Sequence, residues 1–156
     1  MTACSTPLRV ALAGCGVVGG AVLDRLQAGE LAAGRPVEVT SVLVRRGRAS
    51  RRHVLPATVW TTDVEEFLRA PADVVLEVIG GLVPALRIAE HVLGRGGRLV
   101  TANKALLAAH GAGLAALAQR SGGSLGFEAA VGGGVPVVRA LRHAVRPQPV
   151  RVFRGI

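Results

Sequence analysis

The stretch "LRVALAGCGVVGG", Leu8 to Gly20, decides the fold. Its first half is a run of strand length, apolar but for Arg9. Its second half carries Gly14, Gly16 and Gly19 in G-x-G-x-x-G spacing, and the apolar pattern resumes at once as a helix through "AVLDRLQAG". The glycine spacing alone is weak. Placed after a strand and at the opening of a helix it becomes informative. In that setting Gly14 permits a tight turn, Gly16 lets a pyrophosphate approach the backbone, and Gly19 allows the helix to pack closely on the strand. Val17 and Val18 then stand at the helix N-terminus, whose free N–H groups suit phosphate. The competing reading is a glycine-rich turn with no ligand.

Outward from this turn, strand-like and helix-like patterns alternate to the end of the chain. "VEVTSVLV", "TVWTT", "DVVLEVIGG", "RLVTA", "SLGFEAA" and "PVRVFRGI" read as strands. Between them lie helical stretches at "DVEEFLRA", with Asp63 as N-cap, at "PALRIAEHVLGRGG", at "KALLAAHGAGLAALAQRSGG" and at "VPVVRALRHAV". Such alternation predicts an α/β fold of Rossmann type: a doubly wound, mostly parallel sheet with helices on both faces and ligands at the carboxyl ends of its strands. A single domain is expected over 1–148. Residues 149–156 read as the start of a further one: an apolar strand there needs a neighbour, and it either closes this domain or opens a second.

The chain has 156 residues, half of them apolar, which suffices to bury about 70% of the unfolded surface. Aromatics are few, so the core must be built from Val, Leu and Ala. The formal charge is +9. Five of the eighteen arginines fall in "RRGRASRR" and five near the C-terminus, without zinc-finger spacing or aromatic RNA-binding signature, so nucleic acid is not the expected partner. No apolar run reaches the roughly 18 residues of a membrane helix. No signal peptide is evident and the two cysteines make no disulfide framework, so the expected compartment is the cytoplasm.

The end of the second strand bears on cofactor choice. NAD enzymes place a carboxylate there for the ribose 2′-hydroxyl. This chain has Arg45, followed by Arg46. A guanidinium can grip a 2′-phosphate that a carboxylate would repel, so NADP is favoured over NAD. A solvated basic loop is the plainer alternative. The Gly19-to-Arg45 separation is long, and "GELAAGRP" accounts for the excess. Gly80, where the fourth strand stops, is a further cofactor-side candidate.

Lys104 in "VTANKALLAAHG" is the only lysine among nineteen Lys and Arg residues. It follows a strand and begins a helix, where a cation opposes the helix dipole by about 0.3–1 kcal/mol. Arginine cannot give up its proton but lysine can. Lys104 is therefore a candidate for proton transfer, the alternative being an exposed lysine with no task. Glu77 is read either as facing the cofactor or as a buried, hydrogen-bonded carboxylate.

The stretches "GCGVVGG", "VLEVIGG", "VTANKALLAAHG", "FEAAVGGGVPVVRAL" and "RGI" together resemble the nucleotide-binding half of homoserine dehydrogenase. The resemblance spans nearly the whole chain and is most specific at "TANKALLAAHG" and "FEAAVGGGVP". It implies NAD(P)-dependent interconversion of L-homoserine and L-aspartate 4-semialdehyde, a step toward threonine, methionine and isoleucine. For Lys104 it implies the catalytic role on a hydroxyl and a contact to the cofactor. It also implies a sodium ion at "EAAVGGGV", held by Glu128, Val131, Gly133 and Val135, mostly through backbone carbonyls. Read from its residues alone, the same loop is a turn into a helix with Pro136 in its first turn. Members of that family continue beyond "RGI" with a substrate domain that supplies a second catalytic lysine and most of the dimer interface. The expectation for this chain is NADP(H) binding with little turnover, and a homo-oligomer only with that domain present. A stand-alone NADP-binding or interaction module without chemistry is the alternative.

Overall fold

A computed structural model describes residues 6–30, 34–45 and 55–144. Six parallel strands form one sheet in the order β3-β2-β1-β4-β5-β6. They are β1 (Leu8–Ala13), β2 (Val37–Leu43), β3 (Trp60–Thr61), β4 (Val74–Glu77), β5 (Arg98–Thr101) and β6 (Ser124–Gly126). The helices are α1 (Val17–Gln27), α2 (Val64–Arg69), α3 (Val83–Gly94), α4 (Lys104–Ser121) and α5 (Val137–Ala144). The strand order reverses between β1 and β4, which makes their carboxyl ends the switch point of a doubly wound fold.

Alternation along each strand builds two cores. Ala11, Ala13, Leu43, Val75 and Leu99 point to one face and pack with Phe67 of α2, Ile88 and Leu93 of α3, and Leu106 and Leu114 of α4. Leu12, Val42 and Val44 point to the other, where Leu23 of α1 meets them along with Val78 and Trp60. Strands flanked on both sides bury every position, which is why β1 is apolar from Val10 to Ala13 and β2 is buried from Ser41 to Leu43. Cover is thinner on the α1 side beyond β4, where Val100 of β5 is 40% exposed. The β1–β2 register slips by one residue between Val10 and Ala11, and the hydroxyl of Thr40, the residue passed over, donates to the Val10 carbonyl (3.3 Å).

Several expected boundaries shift. The strand expected over "SLGFEAA" ends at Gly126, and Glu128–Ala130 form a 3₁₀ turn instead. Glu and Ala are poor strand formers, and on a sheet edge only one neighbour opposes their preference. The strand at "DVVLEVIGG" stops at Glu77 because the Glu77 side chain takes the N–H of Ile79, although Val78 still donates to the Ala13 carbonyl (2.8 Å). Pro136 stands just ahead of α5 rather than within it. Asp63 caps α2 as expected, accepting from the Glu65 N–H at 2.7 Å. The strand expected at the C-terminus, Arg46, and the rest of the basic run lie outside the described residues.

Candidate active site

The glycine turn closes against the neighbouring strand. Gly14 has φ +103°, and a β-carbon there would lie 2.6 Å from the Ile79 Cα and 2.7 Å from the Ile79 nitrogen. At Gly19 a β-carbon would stand 2.0 Å from the Gly14 carbonyl oxygen. Gly16 differs: a β-carbon there would meet nothing within 4 Å. Two glycines are thus required by packing, and the third is left bare beside open space. Cys15 between them is a small filler whose thiol pKa is pushed up by burial and by Asp24.

Helix α1 starts without a capping side chain at Gly16 and without an acidic residue in its first turn. Its first bond runs from the Gly20 N–H to the Gly16 carbonyl (2.8 Å), so the amides ahead of Gly20 have no helical partner. Val17 is 92% exposed. Val18 is exposed as well, as are Leu82 and Val83 at the start of α3.

A cleft of about 580 Å³ lies at this switch point, lined by Gly14, Cys15, Gly16, Val44, Arg45, Val78 and Ile79. The structure thereby brings Arg45 at the end of β2 to the glycine turn at the end of β1. Val17, Val18 and Gly19 continue that turn. Gly80 adjoins Ile79 in a left-handed conformation, φ +73°. These residues fit a dinucleotide on two observations: the bare approach at Gly16 and the uncapped amides of α1.

Lys104 is exposed at the first position of α4 and has no hydrogen-bond or ion-pair partner among the described residues. It does not line the glycine cleft. It stands at the end of β5, which is separated from β1 only by β4.

What fixes that helix start is a polar cluster of which sequence reasoning saw only Glu77. The Glu77 carboxylate is fully buried. One oxygen accepts from the Ile79 N–H (3.0 Å), and the other from the Thr101 hydroxyl (2.6 Å). Thr101 Oγ1 in turn accepts from the Asn103 N–H (3.0 Å). Asn103 Nδ2 donates to the Gly81 carbonyl (2.7 Å) and makes a long 3.5 Å contact to Glu77, while Asn103 Oδ1 accepts from the Leu106 N–H (3.1 Å) as N-cap of α4. The signal was available: an asparagine at the end of a strand, three residues before a helical leucine, is a capping pattern.

The expected sodium ligands lie together in the loop between β6 and α5. Gly132, Gly133 and Gly134 take φ values of +76°, +48° and +107°. Glu128 uses one carboxylate oxygen to accept the N–H groups of Val138 (3.0 Å) and Arg139 (3.4 Å), capping α5. The Val135 carbonyl accepts from the Val137 N–H (2.7 Å), whereas the carbonyls of Val131 and Gly133 meet no donor among the described residues.

The fold and the glycine cleft define a Rossmann dinucleotide-binding domain. Residues 14–128 match the family described as homoserine dehydrogenase, NAD binding domain. The chain is 37% identical over 155 residues to a homoserine dehydrogenase of Pseudomonas aeruginosa, with 96% of this chain and 35% of that protein covered. A Bacillus subtilis homoserine dehydrogenase is 38% identical over 161 residues, at 96% and 36% coverage. A crystal structure of a homoserine dehydrogenase from Thiobacillus denitrificans superposes with a TM-score of 0.76 at 35% identity, covering 90% of this chain and 34% of that one. The chain belongs to the homoserine dehydrogenase family. It spans about a third of the length of these relatives, the part that carries the nucleotide-binding fold.

Proposed function

We propose that this chain is the nucleotide-binding portion of an enzyme that interconverts L-homoserine and L-aspartate 4-semialdehyde. In this reading it prefers NADP(H) to NAD(H) and turns over little without a substrate-binding portion. The observation that carries the cofactor preference is Arg45, which lines the cleft with Gly14 and Gly16 at the strand end where a carboxylate serves NAD. The amides at the start of α1 receive the pyrophosphate, and the exposed valines beside them offer apolar contact to the flat rings of the dinucleotide. When bound, the nicotinamide supplies the hydride acceptor or donor.

Lys104, at the next strand end but one, donates a hydrogen bond to the reacting oxygen and carries its proton. Orienting a substrate is worth several powers of ten, and this chain alone offers only one half of such a site. The same reading assigns a sodium ion to the loop 128–135, held by Glu128 and the carbonyls of Val131, Gly133 and Val135. An oxygen-only ligand set around left-handed glycines suits a hard cation.

Calorimetric titration with NADPH and NADH tests the proposal. NADPH is expected to bind more tightly, and Arg45→Ala to weaken NADPH by about tenfold while leaving NADH nearly unchanged, as expected for one charge-assisted contact in partial solvent. Equal affinity for both nucleotides, insensitive to Arg45→Ala, would overturn the preference. Binding of neither would overturn the assignment.

A further inference from the structure

The cluster of Glu77, Thr101 and Asn103 is given no task by nucleotide binding or by proton transfer. Its burial is costly. A carboxylate removed from water needs every oxygen paired, and an apolar residue of similar size would pack there without that cost. Glu77 and Thr101 are both 0% exposed, and Asn103 is 7% exposed.

The partners explain what the cost secures. The Ile79 N–H and the Gly81 carbonyl belong to the loop after β4. Thr101 ends β5, and the Asn103 backbone and side chain form the turn into α4. Gly14 rests on the Ile79 backbone, the very nitrogen that Glu77 holds. One carboxylate therefore joins three separate segments: the glycine turn by contact, and the β4 and β5 exits by hydrogen bonds. Lys104 follows Asn103 directly. Both Glu77 oxygens face donors, so a glutamine would turn an N–H₂ toward one of them and force Thr101 to reverse its hydroxyl.

We propose that Glu77, acting through Thr101 and Asn103, is a positioning residue that sets Lys104 relative to the glycine turn. This inference rests on the reading of the cleft as the nucleotide site. Groups that act together in a site must be held to within about 0.5 Å by the residues behind them, and this cluster is built as such a support.

The test uses the intact chain, with its single lysine as a reporter. Reductive ¹³C-methylation of Lys104 keeps its charge and gives one side-chain NMR signal besides that of the N-terminal amine. Glu77→Gln and Thr101→Val are compared with wild type and with Thr101→Ser. NADPH affinity is measured by calorimetry on unmodified protein, and the folded fraction by urea denaturation. The expected result is a moved Lys104 signal in both variants, NADPH weakened by about tenfold at unchanged folded fraction, and recovery of both in Thr101→Ser. Thr101→Val carries the test if Glu77→Gln does not fold. A Lys104 signal unchanged in the folded variants overturns the proposal, as does affinity that falls only with the folded fraction. If wild type binds no nucleotide, the cofactor reading fails separately. The Lys104 signal of the free protein then decides the positioning role by itself.

Discussion

Gly19 and Gly14 approach so closely that a β-carbon on Gly19 would lie 2.0 Å from the Gly14 carbonyl oxygen. No rotamer can relieve this, because both atoms are fixed by backbone. Gly19→Ala must therefore move α1 away from β1 or open the turn. The expected cost is at least about 1–3 kcal/mol, the range for overpacking, with loss of nucleotide binding. Gly16→Ala is the informative control. Its β-carbon meets nothing within 4 Å, so stability should change by less than about 1 kcal/mol while NADPH affinity falls. Urea denaturation and calorimetry on the two variants separate a packing glycine from a ligand-facing one.

Asp73 and Arg9 tie the amino ends of β4 and β1 together at the opposite pole of the sheet. The carboxylate accepts from the Arg9 backbone N–H (2.9 Å) and from its guanidinium (2.8 Å). The Arg9 side-chain hydrogen bond is the main cause that lowers the Asp73 pKa from 3.8 to about 2. A carboxyl whose folded pKa is depressed contributes stability above its unfolded pKa, and that contribution is lost as pH falls through the folded value. The stability difference between wild type and Asp73→Asn should thus be constant above about pH 5 and shrink between about pH 4 and pH 2. Both side chains are partly exposed, so added salt should diminish it. Thermal melts of the two proteins across that range measure it.

The positions of β1, α1, β2 and α2 were legible because each carries a strong local signal. β1 is apolar but for Arg9, α1 opens on glycines whose packing is obligatory, and Asp63 caps α2 in the manner its sequence announces. The candidate site was legible where the backbone itself demands a residue type, as at Gly14 and Gly19. It was not legible where function depends on a side chain meeting distant neighbours. Glu77 and Thr101 are 24 residues apart, and only the pairing of β4 with β5 makes them partners. The end of β6 was missed for a related reason. The apolar Phe127, Ala129 and Ala130 suggest a longer strand, but Ala and Glu favour strands poorly and Glu128 is drawn off to cap α5, ten residues ahead.

Asn103 supports α4 from both of its side-chain atoms. Oδ1 caps the helix at Leu106, and Nδ2 reaches the Gly81 carbonyl. Asn103→Ala loses both and should cost about 1–2 kcal/mol, the upper part of the range for an N-cap. Asn103→Asp keeps the cap and gains from the helix dipole. It also loses the donor to Gly81 and sets a second carboxylate near Glu77. The expected order of stability is wild type, then Asn103→Asp, then Asn103→Ala. Urea midpoints for the three proteins check it, and an aspartate variant as stable as wild type would show that the Gly81 contact contributes little.

Glu128 distinguishes a capping carboxylate from a sodium ligand. Its hydrogen bonds to the Val138 and Arg139 N–H groups stabilise the start of α5 whatever the salt. A bound cation adds a mass-action increment that depends on sodium itself, about 1.4 kcal/mol at ten times its Kd. For a chain of this size that is a rise of a few degrees in Tm. The expected outcome is a higher Tm in sodium chloride than in choline chloride of equal ionic strength. Glu128→Ala should lower Tm in both salts and remove the difference between them. Glu128→Gln keeps an acceptor for the two amides, so it should restore much of the salt-independent part and leave the sodium increment weakened. A wild-type protein with the same Tm in both salts would assign Glu128 to capping alone, with the left-handed glycines 132–134 serving only to turn the chain into α5.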